Sequence, residues 1–534
     1  MTDPVGAPGD EPLIDGGYIH GRAPADGASL EAVEITPLDS LGELVRRVRR
    51  AAQEHAARDI DERIRRLRAL QNAVMARGEA LVRAITTETG KPEAEAWLHE
   101  VVPTADLGAY WCREGPALLA VHEVDLDAFA YPGKRAVVER VPRGVIGLIT
   151  PWNFPAALPL RTLFPALLAG NGVVWKPSEH VPRTAAIIHR AIVEVYGPDL
   201  VVLVQGGPEA GAAVVEAGLD AIVFTGSVAT GRRVAEACAR ALVPVSLELG
   251  GKDAAVVLED ADVERTARGL LWGALANSGQ NCAAIERVVV VESIAPKLEA
   301  RLRELLSVLE PGRDYGPLTT AAQRDLVLRH LQQAREAGAR VEGGEALERP
   351  GLWMRPALVT ETPVDCGLWQ EETFGPVLAL RRVPDEPAAI ELANASRYGL
   401  TASVWTRNLE RGERVARALR AGVVVVNNHG FTGAIPSLPW TGVGESGFGV
   451  TNSVHALEVL CRPRALVVDA RRARRELWWH PYTPALVRIG RAMNVLRRPR
   501  SGLVARVRSL FALIAAFLAR WRLPRASDRG DRAG

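Results

Sequence analysis

Between residues 41 and about 85, apolar side chains recur at three- and four-residue spacing with Arg and Glu between them (LGELVRRVRRAAQEHAA, then IDERIRRLRALQNAVMARGEALVRAI), the pattern of amphipathic helices. After about residue 144 the pattern changes. Short, almost wholly apolar runs, VIGLIT (145–150), VVWK (173–176), VVLVQG (201–206) and AIVFTG (221–226), alternate with helical stretches such as 183–195 and 228–241. Strands without a polar face are covered on both sides, which predicts a parallel sheet between helices, with ligands at the carboxyl ends of the strands. The runs end in PWNFP, KPSE, GGP and TGS. A second alternating segment begins near SLELGGK, continues through RVVVVE (287–292) to about residue 450, and predicts a second α/β domain. In VDLDAFAYPGKRAVVERVP (124–142), PGKR divides two alternating runs, which predicts a hairpin.

Composition adds bounds. The 534 residues are 48% hydrophobic and 24% charged, enough for more than one core. Five scattered cysteines with no CxxC or Cys/His cluster offer neither a disulfide framework nor a metal site, so a reducing, cytoplasmic setting is expected. The start, MTDPVGAPGDEP, lacks the basic and apolar stretches of a signal peptide, and residues 1–10 are expected to be disordered. Charge is unevenly placed. Residues 471–534 hold 16 Arg against three acidic side chains, a net +13, so residues 1–470 carry −11 of the chain's +2. Within that tail, 503–523 has a charge-free core from Leu510 to Ala519, about half the length a spanning helix needs. An amphipathic helix lying peripherally on an anionic membrane surface fits better. The alternative is a helix docked on the acidic body or on a partner subunit. Nucleic acid is not expected, since no recognition module and little aromatic interleaving accompany the arginines.

The candidate chemistry centres on NSGQNC (277–282). A thiol that attacks a carbonyl needs an accessible thiolate, donors for the oxyanion, and a means of removing the acyl group. Cys282 lies in a polar loop after a helix, Asn153 in PWNFP offers an amide donor, and Glu248 in LELGGK offers a carboxylate to activate water. Taken singly, Asn153 reads as a turn residue and Glu248 as a strand-end residue. For phosphate binding, FTGSVATG sets Gly226 and Gly231 at a strand-to-helix turn, where backbone N–H groups can receive a pyrophosphate and Ser227 can add a hydroxyl.

PWNFP (151–155), KPSE (176–179), FTGS (224–227) with Gly231, ELGGK (248–252), GQNC (279–282) and EETFGPV (371–377) stand in an order and spacing that resemble the aldehyde dehydrogenase superfamily, over about residues 40–465. The resemblance implies two Rossmann-like, doubly wound parallel-sheet domains plus an oligomerisation hairpin. The dinucleotide-binding domain would comprise 11–123 and 143–250, the catalytic domain 251–450, and the oligomerisation segment 124–142 with 451–469. Residues 470–534 would form a basic extension.

It also implies the non-acylating reaction, in which Cys282 is the nucleophile, Asn153 an oxyanion donor and Glu248 the water-activating base. Trp152, Lys176, Glu179, Gly226, Ser227, Gly231, Glu372 and Phe374 would contact NAD, with NADP as the second candidate; a carboxylate at 179 repels a 2′-phosphate. Phe154, Arg161, Asn281 and Ala283 would meet the small-molecule aldehyde. Arg161 matches an arginine that holds a polar or anionic group in semialdehyde and hydroxyaldehyde enzymes, with a structural ion pair as the alternative role. The second arginine of succinic-semialdehyde enzymes is replaced by Ala276, and His429 reads as an ordinary loop histidine, with a place at the tunnel mouth as the alternative. A homodimer or homotetramer is expected. Two competing readings are a coenzyme A-acylating dehydrogenase, which does not need Glu248, and a membrane-associated scaffold without activity.

Overall fold

The computed structural model describes residues 13–128, 130–470 and 476–521. The first ten residues and the last two of the 503–523 segment lie outside them. The chain divides into a larger unit, Met1–Val121 with Glu139–Arg464, and a smaller one, His122–Val138 with Ala465–Gly534.

In the larger unit the apolar runs form a five-stranded, all-parallel sheet: β1 (Val145–Thr150), β2 (Gly172–Pro177), β3 (Val201–Leu203), β4 (Ala221–Thr225) and β5 (Val245–Glu248), in the order β5-β4-β1-β2-β3. All six residues of β1 are buried because helices cover both faces. On one side Ile146, Leu148 and Trp175 join a cluster with Leu67 and Leu70 of the helix α2 and with Leu163 and Phe164 of α3. On the other, Val145, Ile149 and Val174 pack with Val45 and Val48 of α1 and Val234 of α4. These helices span Leu41–Ala56 (α1), Ile60–Met75 (α2), Ala157–Ala169 (α3) and Val228–Ala241 (α4). Strand order reverses between β1 and β4, which opens a crevice at their carboxyl ends.

A second sheet holds β6 (Asp253–Val257), β7 (Ile285–Val291), β8 (Arg340–Glu342), β9 (Ala357–Thr360), β10 (Val377–Val383), β11 (Thr401–Trp405) and β12 (Val423–Val426). Their order is β8-β9-β10-β7-β6-β11-β12, parallel except for β8. Helix α5 (Val263–Leu275) buries Leu270, Leu271 and Ala274 against this sheet and ends just before the NSGQNC segment.

In the hairpin His122–Val124 runs antiparallel to Lys134–Pro142 with Cys461–Asp469 as a third strand, and the smaller unit holds its 122–138 and 465–469 parts. Lys134 bridges Asp469 and Glu476. Beyond it lie α6 (Pro484–Arg497), which the sequence pattern did not announce, and α7 (Leu503–Trp521). They share a core of Ile489, Ala492, Leu513 and Ala516. Arg520, 2% exposed, donates to the carbonyls of Leu477, Trp479 and Pro481. Among the described residues no helix is long and apolar enough to cross a membrane.

Candidate active site

The site gathers the carboxyl ends of β1, β4 and β5 with the segments leading into β6, β7 and β10. Asn153 follows β1, Gly226 follows β4 and Glu248 ends β5, while Cys282 precedes β7 and Glu372 precedes β10. The expectation that ligands sit at strand carboxyl ends therefore describes only the first sheet's share.

Local geometry before the thiol is strained. Asn277, Ser278 and Gly279 are all left-handed (φ 55, 57 and 73°), a conformation that costs a non-glycine residue about 1–2 kcal/mol. At Gly279 a Cβ would run into the Gly375 carbonyl. Hydrogen bonds hold the run in place. The Asn277 N–H donates to the Glu95 carboxylate (2.9 Å), and its amide donates to the backbone oxygens of Asn153 (2.9 Å) and Gln280 (3.0 Å). Ser278 Oγ donates to the Gly316 carbonyl and accepts from the Gly316 N–H, both at 2.9 Å. Asn153 Nδ2 donates to the Gln280 carbonyl (3.1 Å), tying the β1 loop to the thiol's loop.

Beneath this lies a pair that motif reading missed. Lys91 and Glu100, both side chains wholly buried, form an ion pair. Lys91 also donates to the Asn153 carbonyl (3.0 Å), and Glu100 accepts from the N–H groups of Ala156 (3.1 Å) and Ala157 (2.9 Å) at the start of α3. Replacing Glu100 with Ala leaves a buried ammonium unpaired, which typically costs about 3–5 kcal/mol. We expect E100A to melt well below the wild type by differential scanning fluorimetry, and a Lys91→Met, Glu100→Leu pair to regain part of the loss. His429 packs beside the same segment. It is 1% exposed, its Nε2 lies 2.7 Å from the carbonyl of Ala283 beside the thiol, and burial lowers its pKa to about 4.

Cys282 borders two cavities. One, of about 280 Å³, is lined by Trp152, Asn153, Gly226, Ser227, Glu372 and Phe374. The other, of about 180 Å³, includes Phe154, Arg161, Asn281 and Ala283 in its wall. The residues expected to meet the dinucleotide and those expected to meet the aldehyde thus fall mostly on opposite sides of one sulfur. Three do not line the first cavity. Lys176 and Glu179 form an ion pair (2.9 Å) at the end of β2. There burial opposes ionisation of Glu179, but Lys176 and His180 outweigh it and hold the carboxyl below its ordinary value. Gly231 lies in the first turn of α4, where a Cβ would collide with Leu249. Ser227 serves as the helix N-cap, accepting from the Thr230 N–H (3.3 Å).

Burial pushes the Cys282 thiol far above its ordinary pKa, helped by the carboxylates of Glu372, Glu248 and Asp253 and opposed by Arg161. Glu248 is 5% exposed, and burial raises its pKa to about 7 against the pull of Thr451 and Arg161. Its Oε1 and the Oδ1 of Asn153 are buried without a hydrogen-bond partner. Burial opposes the charge of Arg161, and the nearby carboxylates of Glu248 and Glu100 support it. Its guanidinium stands 5.6 Å from the centre of the Trp440 ring.

The first cavity fits a dinucleotide. It opens at the switch point, above the start of α4, with glycines where side chains would obstruct: a Cβ on Gly250 would meet the Glu372 carboxylate, whose Oε1 accepts from the Gly251 N–H (3.0 Å). Glu286 accepts from the N–H groups of Thr373 (2.8 Å) and Phe374 (2.8 Å), and Lys252 pairs with Glu286, fixing the loop that presents Glu372 and Phe374.

Two cavities that meet at one thiol suit an enzyme that brings a carbonyl compound and a cofactor to the same sulfur. The aldehyde dehydrogenase family profile matches residues 15–466, and the chain belongs to that family: it is an NAD(P)-dependent oxidoreductase acting on aldehyde groups. The 4,4′-diapolycopene aldehyde oxidase of a Methylomonas species is 36% identical over 470 residues, which are 86% of this chain and 88% of that protein. Geranial dehydrogenase of Castellaniella defragrans is 36% identical over 401 residues, 72% of this chain and 81% of its own length. The solved structure of PnpE in complex with nicotinamide adenine dinucleotide matches with a TM-score of 0.82 at 32% identity, covering 87% of this chain and 97% of that one.

Proposed function

We propose that this protein oxidises an aldehyde to its carboxylic acid through a thioester on Cys282, which is released by water that Glu248 activates. The observation that carries the reading is the position of Cys282 between the two cavities.

The Cys282 thiol releases its proton to solvent and its sulfur adds to the carbonyl carbon, forming a C–S bond as the π electron pair moves to oxygen. The Cys282 N–H and the Asn153 amide are the donors for that oxyanion; such a donor is commonly worth about 10²–10³ in rate. When bound, the dinucleotide supplies the oxidising power by accepting the hydride of that carbon. The oxidised carbon stays on the protein as a thioester. Water then attacks it, Glu248 takes the water's proton, the C–S bond breaks, and the acid leaves as Glu248 passes that proton on to the Cys282 thiolate. Trp152, Lys176, Glu179, Gly226, Glu372 and Phe374 would hold the cofactor, with NAD favoured because Glu179 is held ionised. Glu248 argues against transfer of the acyl group to coenzyme A, which needs no such base. The decisive assay is the appearance of reduced cofactor with a panel of aldehydes, with and without coenzyme A. Absence of turnover while NAD binds normally would leave the scaffold reading.

Attachment to a membrane surface rests on α7. The helix buries a narrow strip against α6, but Leu503 (79% exposed), Val507, Leu510, Phe511 (69%), Ile514 and Leu518 form an uncovered stripe at helical spacing. No acidic residue occurs between Leu477 and Ser527, and arginines flank the stripe. We expect the full chain to co-sediment with vesicles containing phosphatidylserine, increasingly so at low salt. Phe511→Glu with Ile514→Glu should abolish this. Equal pelleting of variant and wild type would refute the attachment. The hairpin at 124–142 and the strand near 461–469 are proposed to join subunits.

A further inference from the structure

The second cavity is dominated by apolar surface and holds no carboxylate. Leu158 and Trp440, 8% and 5% exposed, form its inner wall. Leu98, Trp272 and Phe431 also line it, yet they are 63%, 42% and 42% exposed, so they mark its mouth. They come from three distant segments: the turn at 97–101, helix α5 and the loop after β12. Single exposed apolar side chains are ordinary surface, but three that converge on one opening make a continuous greasy ledge. His99 beside them is held neutral, its pKa lowered to about 4 by burial and the Lys91 charge. Arg161 is then the only permanent charge in the cavity's wall, 5.6 Å from the Trp440 ring centre, with Glu248 acting on it from outside that wall.

We infer that the substrate is an aldehyde without a cationic group and with an apolar chain of several carbons, its carbonyl at Cys282 and its chain lying over Leu98, Trp272 and Phe431. This rests on the role of Cys282 proposed above. The ledge gains by covering an apolar chain, whereas a cationic aldehyde would enter a cavity whose wall offers no anion to pair with and one cation to repel it.

The test is kcat/KM for a panel chosen to separate these features. Along the series from butanal to octanal it should rise about fourfold per added methylene, the transfer value of that group. One matched pair isolates charge. The neutral 3,3-dimethylbutanal should exceed its isosteric cation trimethylammonioacetaldehyde at least tenfold. Leu98→Asp combined with Phe431→Asp, both at exposed positions, should collapse the advantage of octanal over butanal. A flat chain-length series, or preference for the cationic aldehyde, would overturn the inference while leaving the thioester route intact. Failure to oxidise any aldehyde would instead strike the route itself.

Discussion

Cys282→Ala should abolish aldehyde oxidation while leaving dinucleotide binding in place. Deleting a covalent nucleophile removes the C–S bond on which every later step depends, and such losses reach about 10⁶-fold, more than single oxyanion donors or bases cost. The substitution removes one sulfur from a position bordering both cavities and breaks no strong hydrogen bond, since Sγ lies 3.8 Å from its nearest partner, Asn281 Oδ1. The fold should therefore survive it. Titration of the variant with NAD, followed by intrinsic tryptophan fluorescence, provides the control: normal binding with no reduced cofactor is the expected pair of results. Residual turnover within about a hundredfold of wild type would mean that the sulfur is not the group that attacks.

Glu248→Gln should separate the two halves of the reaction. Thioester formation would proceed once and stop, giving a burst of about one reduced cofactor per subunit and then a steady rate reduced about 10²–10⁴-fold, the usual worth of a general base. Intact-mass measurement should find the acyl group on Cys282. The direction of the pH dependence follows from the same residue. Only the ionised carboxylate can take a proton from water, and burial places that ionisation near pH 7. Wild-type turnover should therefore fall as pH drops through about 7, and this limb should vanish in the variant's slow phase. A variant with no burst and no acyl adduct would place Glu248 in an earlier step.

Much of this architecture was legible in the sequence, and the reason is physical. VIGLIT lacks alternation because β1 is covered on both faces, so burial itself writes the pattern. The helix expected at 228–241 has those bounds because Ser227 caps it and Leu242 turns left-handed at its end. The site's motif residues could be read because each is local: PWNFP, ELGGK and GQNC carry their own turns. What escaped was long-range. Lys91 reaches Asn153 across 62 positions, and His429 reaches Ala283 across 146, so no window of sequence contains both ends of either contact. Helix α6 escaped for another reason. Its apolar stripe is interrupted by arginines and meets a core only with α7, which makes it resemble a solvated basic tail.

Of the five cysteines, Cys112, Cys238, Cys366 and Cys461 are packed into the interior, and Cys282 alone is partly open. Oxidants that reach thiols through solvent accordingly have one target, and, in the role proposed for Cys282, damage to that target and loss of turnover become the same event.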